Sequence, residues 1–393
     1  MVDSRLSFVG VLVAVVTGVG IVLTQSGGAR EPQGCDLRAA TSSVVAGHCV
    51  IPTDDKNGVG GISAMFFADP VLWAVTDGEF PSASRLLSFD WPRESSFPSV
   101  RVTGSTELHR TSDPEALHQF EAVAWADDNQ FWAAIEVRPP KILWCDTGGA
   151  CRDRDVPLPA WFSSARGNKG IEGLAFHPKT GVLVAALEEP LALDPKTGVP
   201  VAALEEPLNA NREVRLETFV RFAAFEMRPS GDFLLSAEYR YPIKGWPAKG
   251  VGISELLFID EQQLLVLERG YFEDCGRNTI QLYAVRLDGN TPNDELEKNL
   301  VLELSEYASE LPDLESKAEA RWAGKLQKRL ENFEGLAWGP TLPDNGGKSL
   351  LLISDDNYKR GSSLDQVTAL LMLRWSALWP PRRNTVVRNH GCG

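Results

Sequence analysis

The sequence predicts an all-β fold: a β-propeller of five or six blades, with an N-terminal signal or anchor segment and a short inserted helix. Three observations lead there. One hairpin pattern recurs five times, further strand-like segments follow most copies, and the copies carry acids at matching positions. The copies are residues 61–79 (GISAMFFADPVLWAVTDGE), 120–136 (FEAVAWADDNQFWAAIE), 171–189 (IEGLAFHPKTGVLVAALEE), 253–269 (ISELLFIDEQQLLVLER) and 333–356 (FEGLAWGPTLPDNGGKSLLLISDD). Each half has the length and the aromatic, Val and Leu content of a strand. Each turn holds Asp, Pro, Gly or Asn. Gly and Asn tolerate positive φ and Pro presets its own, so these residues suit chain reversal.

A hairpin followed by further strands makes a propeller blade. Residues 85–91 and 141–145 supply such strands after the first two copies, and residues 219–227 and 233–241 after the third. Residues 279–287 and 299–304 follow the fourth copy, and 367–375 the fifth. The stretch 35–51 is expected to add an outer strand that closes the ring with the last blade. Residues 178–191 (PKTGVLVAALEEPL) recur at 195–208 (PKTGVPVAALEEPL), a tandem duplication inside one blade. Proline disfavours a central strand. The first copy, with Leu183 where the second has Pro200, is therefore expected to be the structural one. Leu314, Ala318, Trp322, Leu326 and Leu330 fall at helical spacing and predict a short amphipathic helix over residues 312–330.

The resulting organisation is a signal or anchor at 1–29, a ring-closing segment at 30–59, the propeller at 60–380 and a tail at 381–393. Leu6 begins an apolar run of 18 residues ending at Leu23, with Arg5 before it and no charge inside. The run suits a signal peptide cut after Ala29 or a retained anchor. Either way the remainder is expected in a secreted, periplasmic or lumenal setting, with membrane contact only through residues 6–23. Six cysteines in an exported chain imply disulfides. Sequence proximity favours Cys35–Cys49, Cys145–Cys151 and Cys275–Cys392. The 39 Lys and Arg against 53 Asp and Glu give a net charge of −14. Sequence-independent nucleic-acid binding needs a basic footprint, so no nucleic-acid partner is expected; a monomer is. A G-x-S-x-G nucleophile elbow, a phosphate loop and an H-E-x-x-H zinc motif are all absent from the sequence, which disfavours those classes.

Aligning the copies puts Ser63, Glu121, Glu172, Ser254 and Glu334 early in the first strand, with Glu255 one step on. It puts Asp77, Glu136, Glu188, Glu268 and Asp355 at the end of the second strand, with Asp356 following. In an antiparallel hairpin these two positions lie side by side, and repetition around a ring gathers them at one mouth of the channel. So many like charges cannot all stay ionised unaided: their pKa values rise, or cations neutralise them. Ca²⁺ takes six to eight oxygen ligands and is the expected cofactor. Its candidate ligands are Asp77, Glu121, Glu136, Glu188, Glu255, Glu268, Asp355 and Asp356. Lys169 and Arg269 are the candidate substrate-binding cations. The competing reading makes the acids architecture, each accepting backbone N–H groups and pinning one blade to the next.

Residues 169–175 (KGIEGLA), 252–270 (GISELLFIDEQQLLVLERG) and 332–357 (NFEGLAWGP…LLLISDDN) resemble the phytase-like family, described as having esterase-like activity of phytase. Residues 61–77 resemble its opening motif, and the likeness runs from about Gly60 to Trp375. The resemblance implies an exported protein with phosphoester or phosphodiester chemistry on a small-molecule substrate. It places Glu172, Glu255, Glu268, Glu334, Asp355 and Asp356 at recurring acidic positions. The duplication after Glu188 departs from the family pattern. The expected function is a calcium-dependent phosphoester hydrolase in which Glu172 or Glu334 orients or deprotonates a water. The alternative is a non-catalytic propeller that binds a ligand or protein.

Overall fold

The computed structural model describes residues 36–37, 44–51, 60–78, 83–91, 100–114, 119–127, 129–165, 169–196, 200, 215–243, 249–272, 277–287, 294–310, 320–322, 325–327, 330–342, 347–357 and 368–380. The apolar run 6–23 and the cysteines Cys35, Cys275 and Cys392 lie outside these residues. Among the described residues, no helix is long and apolar enough to cross a membrane.

Five antiparallel sheets form a five-blade propeller. From the axis outward, blade 1 is Ile62–Ala68, Val71–Thr76, Arg85–Asp90 and Val102–Glu107. Blade 2 is Phe120–Asp127, Gln130–Ile135, Lys141–Asp146 and Ala150–Asp153, with His109–Arg110 added in parallel. Blade 3 is Ile171–His177, Val182–Leu187, Phe219–Met227 and Phe233–Pro242, with Asp294–Glu295 added in parallel. Blade 4 is Lys249–Phe258, Gln263–Phe272, Arg277–Arg286 and Lys298–Glu303. Blade 5 takes Asn332–Thr341, Lys348–Asp355 and Ala369–Arg374 from the C-terminal part of the chain and Val45–Val50 and Asp36–Leu37 from the N-terminal part. Val45–Val50 pairs antiparallel with Ala369–Arg374, so blade 5 joins the two ends of the ring. The innermost strands neighbour one another in blade order, and blade 5 returns to blade 1.

The second strands are buried on both faces, which explains why they read as unbroken apolar runs (VLVAAL, LLVL, LLLI) instead of alternating. Phe66 of blade 1 packs with Phe120 and Phe131 of blade 2, and Met65 of blade 1 with Leu351 and Ile353 of blade 5. Leu265 and Leu282 of blade 4 pack with Leu350 and Leu371 of blade 5. The disulfide Cys145–Cys151 joins directly opposed residues of adjacent strands in blade 2, with Cα atoms 4.0 Å apart.

One expectation is corrected. The described residues of the predicted helix over 312–330 do not form one: Ala320–Trp322 pairs with Lys325–Gln327 as a two-stranded antiparallel ladder. Gly324 falls inside the predicted helical span, and glycine costs a helix interior about 1 kcal/mol against alanine. The blade number, left at five or six, is five. In the duplicated stretch, the first copy supplies Val182–Leu187 of blade 3, while Pro200 of the second makes only an isolated bridge to Leu193.

One irregularity repeats in all five blades. The pairing of first and second strands slips at Ile62/Ala64, Phe120/Ala122, Ile171/Gly173, Ile253/Glu255 and Phe333/Gly335. A β-bulge inserts one unpaired residue and re-aims its side chain. The five inserted residues are Ser63, Glu121, Glu172, Ser254 and Glu334. Small residues follow them at Ala64, Ala122, Gly173 and Gly335 because the neighbouring blade comes close. A Cβ on Gly173 would sit 2.8 Å from Leu256 Cγ of blade 4, and one on Gly335 would sit 3.2 Å from Met65 Cγ of blade 1. The Glu-Gly-Leu-Ala motif is thus a bulged acid followed by a close-approach glycine.

Four residues beyond each bulge stands an aromatic: Phe67, Trp125, Phe176, Phe258 and Trp338. These occupy the opposite end of the inner strands and tie blades together. Trp125 stacks on Phe66 of blade 1 (5.1 Å) and Phe258 meets His177 of blade 3 (5.3 Å). Trp338 Nε1 donates to the Phe258 carbonyl at 2.9 Å.

Candidate active site

The mouth end of the inner strands carries the acids. The bulges bring in Glu121, Glu172 and Glu334. One register step beyond Thr76, Ile135 and Leu187, the second strands bring in Asp77, Glu136 and Glu188, whose N–H groups bond Gly61, Gln119 and Gly170. Blade 5 brings in Asp355, opposite Asn332. These seven carboxyl groups act on one another. Burial first, then the charges of Glu136, Asp77, Glu334 and Glu188, lifts Glu121 well above the ordinary carboxyl value of 4.5. Burial and then Glu188, Glu121, Glu136 and Glu334 do the same to Glu172. Asp355 is lifted by burial and by Glu334 and Asp77.

The fourth blade breaks the pattern. Its register pairs Ile253 with Glu268 and Gly252 with Arg269, so the residue in the column of Asp77, Glu136, Glu188 and Asp355 is Arg269. The sequence alignment put Glu268 there. One residue of slip sends a strand side chain to the opposite face, and Glu268 lies fully buried away from the mouth. It accepts hydrogen bonds from the Tyr241 hydroxyl of blade 3 and from Lys298 Nζ at 2.5 Å. Lys298 also lies over the Tyr283 and Tyr241 rings, at 4.1 and 4.9 Å. Burial still raises the Glu268 carboxyl, against the pull of Lys298.

Arg269 lies among the acids. Its Nε bonds Ser254 Oγ (3.1 Å), one terminal nitrogen meets Asn332 Oδ1 (2.9 Å) and Glu334 Oε1 (2.7 Å), and the other meets Glu188 Oε1 (3.1 Å). Asn332 Nδ2 also donates to Glu334 Oε1 at 2.7 Å. Burial raises Glu334 above the ordinary value, while the Arg269 charge pulls it back. Lys169 Nζ stands 2.9 Å from both Glu188 oxygens and is one-third exposed.

Other predicted residues take separate places. Glu136 Oε1 accepts the N–H of Gly170 in blade 3 (2.7 Å), and Asp356 Oδ1 accepts the N–H of Gly61 in blade 1 (2.9 Å). Glu255 is buried between blades 3 and 4, accepting from Leu256 (3.0 Å) and Leu174 (3.3 Å), and burial lifts it well above the carboxyl range. It occupies the place of the small residues Ala64, Ala122, Gly173 and Gly335 in the other blades. Sequence reasoning missed Asn332. Its signal was its place immediately before the Phe-Glu-Gly motif, one residue ahead of the bulged pair.

A calcium ion needs six to eight oxygen ligands. Among the described residues, no three His, Cys, Asp or Glu side chains are grouped to hold one metal. Glu188 and Glu334 are engaged by Arg269 and Lys169, and Glu136 and Asp355 accept the N–H groups of Gly170 and Asn357. The carboxylates do not make a calcium cage.

The model of the phytase-like family, described as esterase-like activity of phytase, matches residues 57–358. No curated protein matches the chain. Among solved structures, the chain is similar to the major allergen Mala s 1 of Malassezia sympodialis, at 13% identity over 86% of this chain and 85% of that one, TM-score 0.38. It is similar to an endo-arabinase of Bacteroides thetaiotaomicron, at 8% identity over 83% and 96%, TM-score 0.42. An endo-1,4-β-xylanase of the same organism aligns at 10% identity over 79% and 90%, TM-score 0.40. Likenesses this remote bear on neither activity nor substrate.

Proposed function

This chain belongs to the phytase-like family, and from that premise we propose that its axial acid cluster is the active site of an exported phosphoester hydrolase working by carboxyl acid–base chemistry. The observation that carries this reading is the unequal treatment of Glu172 and Glu334. Both are bulged acids of the same column, yet the chief charges on Glu172 are carboxylates, whereas Glu334 contacts Arg269 at 2.7 Å. Neighbouring carboxyls whose environments push their pKa values apart take opposite proton roles. Glu172 holds a proton and serves as the acid; Glu334, whose carboxyl the Arg269 charge pulls back toward the ordinary value, serves as the base.

In the proposed step Glu334 takes a proton from water, and the water oxygen attacks phosphorus. The ester P–O bond breaks, and Glu172 gives its proton to the leaving alkoxide. The products are an alcohol and a phosphate; solvent then takes the proton from Glu334 and returns one to Glu172. A wholly ionised mouth would repel an anionic substrate. Protonation of Glu121, Glu172 and Asp355, lifted as they are, lowers that repulsion and supplies O–H donors. Lys169, one-third exposed, is the cation in reach of a phosphate oxygen. The disulfide Cys145–Cys151 suits an oxidising compartment and supports export.

A second reading has its own observation. The hydrogen bonds from Gly170 N–H to Glu136 and from Gly61 N–H to Asp356 cross from one blade to the next, as architectural acids would. The two readings divide on turnover. Phosphate release from a panel of phosphomonoesters and diesters should be measured between pH 4 and 8, with added Ca²⁺ and with chelator. Release that persists in chelator supports the acid–base step. Release only with Ca²⁺ replaces it with a metal-dependent one. No release from folded protein under any condition favours a binding propeller.

A further inference from the structure

We propose that Arg269 is a positioning residue that seats Glu334 of blade 5 beside Glu188 of blade 3, and that it does not itself clamp the substrate. This rests on the axial cluster being a hydrolase site. Four of the five blades place an acid at this register position, and only blade 4 places a cation there. A guanidinium has five N–H donors in a fixed fork. In this structure Nε is engaged by Ser254, one terminal nitrogen by Asn332 and Glu334, and the other by Glu188. That leaves one N–H, too few for the bidentate grip by which arginine recognises a phosphate. The contacts run to blades 3, 4 and 5, so Arg269 links the bases of three separate sheets.

Blade 4, like blade 1 with Ser63, has a serine at the bulge, Ser254, and not an acid. The substitution suits Arg269: a serine hydroxyl accepts its Nε–H, and the guanidinium then reaches across to the bulged acid of the next blade. Asn332 completes the seat by accepting from Arg269 through Oδ1 and donating to Glu334 through Nδ2. Lys169, by contrast, has three donors, one acid partner and a third of its side chain exposed, and remains the cation that a substrate can approach.

The test uses the full chain as wild type, Arg269→Gln, Arg269→Lys and Asn332→Ala, each read by steady-state kinetics and by crystallography. Arg269→Gln is expected to lose about 100-fold in kcat with KM changed less than about threefold, because a mis-seated base slows chemistry more than binding. Arg269→Lys should recover at least about tenfold of that loss, and Asn332→Ala should fall about tenfold in kcat. In the Arg269→Gln crystal structure the Glu334 carboxyl should leave its place beside Asn332. A rise in KM with kcat unchanged would make Arg269 a substrate contact and overturn the proposal. So would a Glu334 that stays in place in Arg269→Gln. If wild type turns over no phosphoester, the hydrolase reading fails by itself, and the position of Glu334 still decides the seating role. If Arg269→Gln does not fold, Arg269→Lys and Asn332→Ala carry the test: unchanged kcat and an unmoved Glu334 in both would overturn it.

Discussion

At the residue scale, Glu268 and Arg269 show what one register step does. They are adjacent in sequence and both end an apolar strand, so the repeated pattern alone could assign either to the acid column. The hydrogen-bonded ladder pairs Arg269 with Gly252 and so gives it the column. Glu268 faces the core with Tyr241 and Lys298 instead. The other members of the cluster were legible because each ends its hairpin in the same phase. Asp356 belongs to the clasp between blades 5 and 1. Its replacement by Ala removes a buried charge-assisted bond to the Gly61 N–H. The expected loss is about 1.5–3 kcal/mol of stability, read as a lower urea midpoint with an unchanged slope. A midpoint within error of wild type would remove Asp356 from the clasp.

At the scale of elements, hairpins were visible as apolar runs bracketing turn residues, whereas the bulge that aims Glu121, Glu172 and Glu334 was not. A bulge is a mismatch between two strands, and neither strand shows it alone. The strand Val102–Glu107 escaped notice because its sequence, VTGSTE, is polar and half-exposed. The predicted helix over 312–330 shows the reverse error: periodic spacing was read across Gly324, and paired strands occupy 320–322 and 325–327 instead. The duplication sits between Leu187 and Phe219, in a connection leaving blade 3 at the acid mouth. Among its described residues, the second copy adds no strand to the blade 3 sheet. Deleting residues 195–211, one repeat unit of 195 − 178 = 17 residues, should leave the thermal midpoint within about 2 °C of wild type, as surface connections tolerate length changes. A drop of ten degrees or more would mean the second copy is part of the fold.

At the scale of the molecule, the ring closes through pairing of Val45–Val50 with Ala369–Arg374. Truncation up to Val50 leaves blade 5 without its outer strands and exposes a buried sheet edge. The truncated chain should lose cooperative unfolding; a sharp transition at the wild-type midpoint would show that the closure is dispensable. The cluster also sets the pH dependence of stability. Glu121, Glu172 and Glu334 have folded pKa values raised above the ordinary 4.5, so between that value and their folded values the native state binds more protons than the unfolded state. Stability then falls as pH rises through this window. The thermal midpoint should be higher near pH 5 than near pH 8, and the opposite order would show that the acids are held as carboxylates.

The most direct test of the axial site is the rate of phosphoester hydrolysis by wild type, Glu172→Gln and Glu334→Gln, each with its thermal midpoint measured in the same buffer. Acid–base groups of this kind contribute about 10²–10⁴ in rate. Each variant should lose at least about 100-fold in kcat while it stays folded at the assay temperature. The Glu172→Gln midpoint should stay level, since a neutral amide replaces a protonated carboxyl, and the Glu334→Gln midpoint should fall with the loss of the Arg269 ion pair. Variants that hydrolyse as fast as wild type, or that lose activity only in step with their folding, would contradict it.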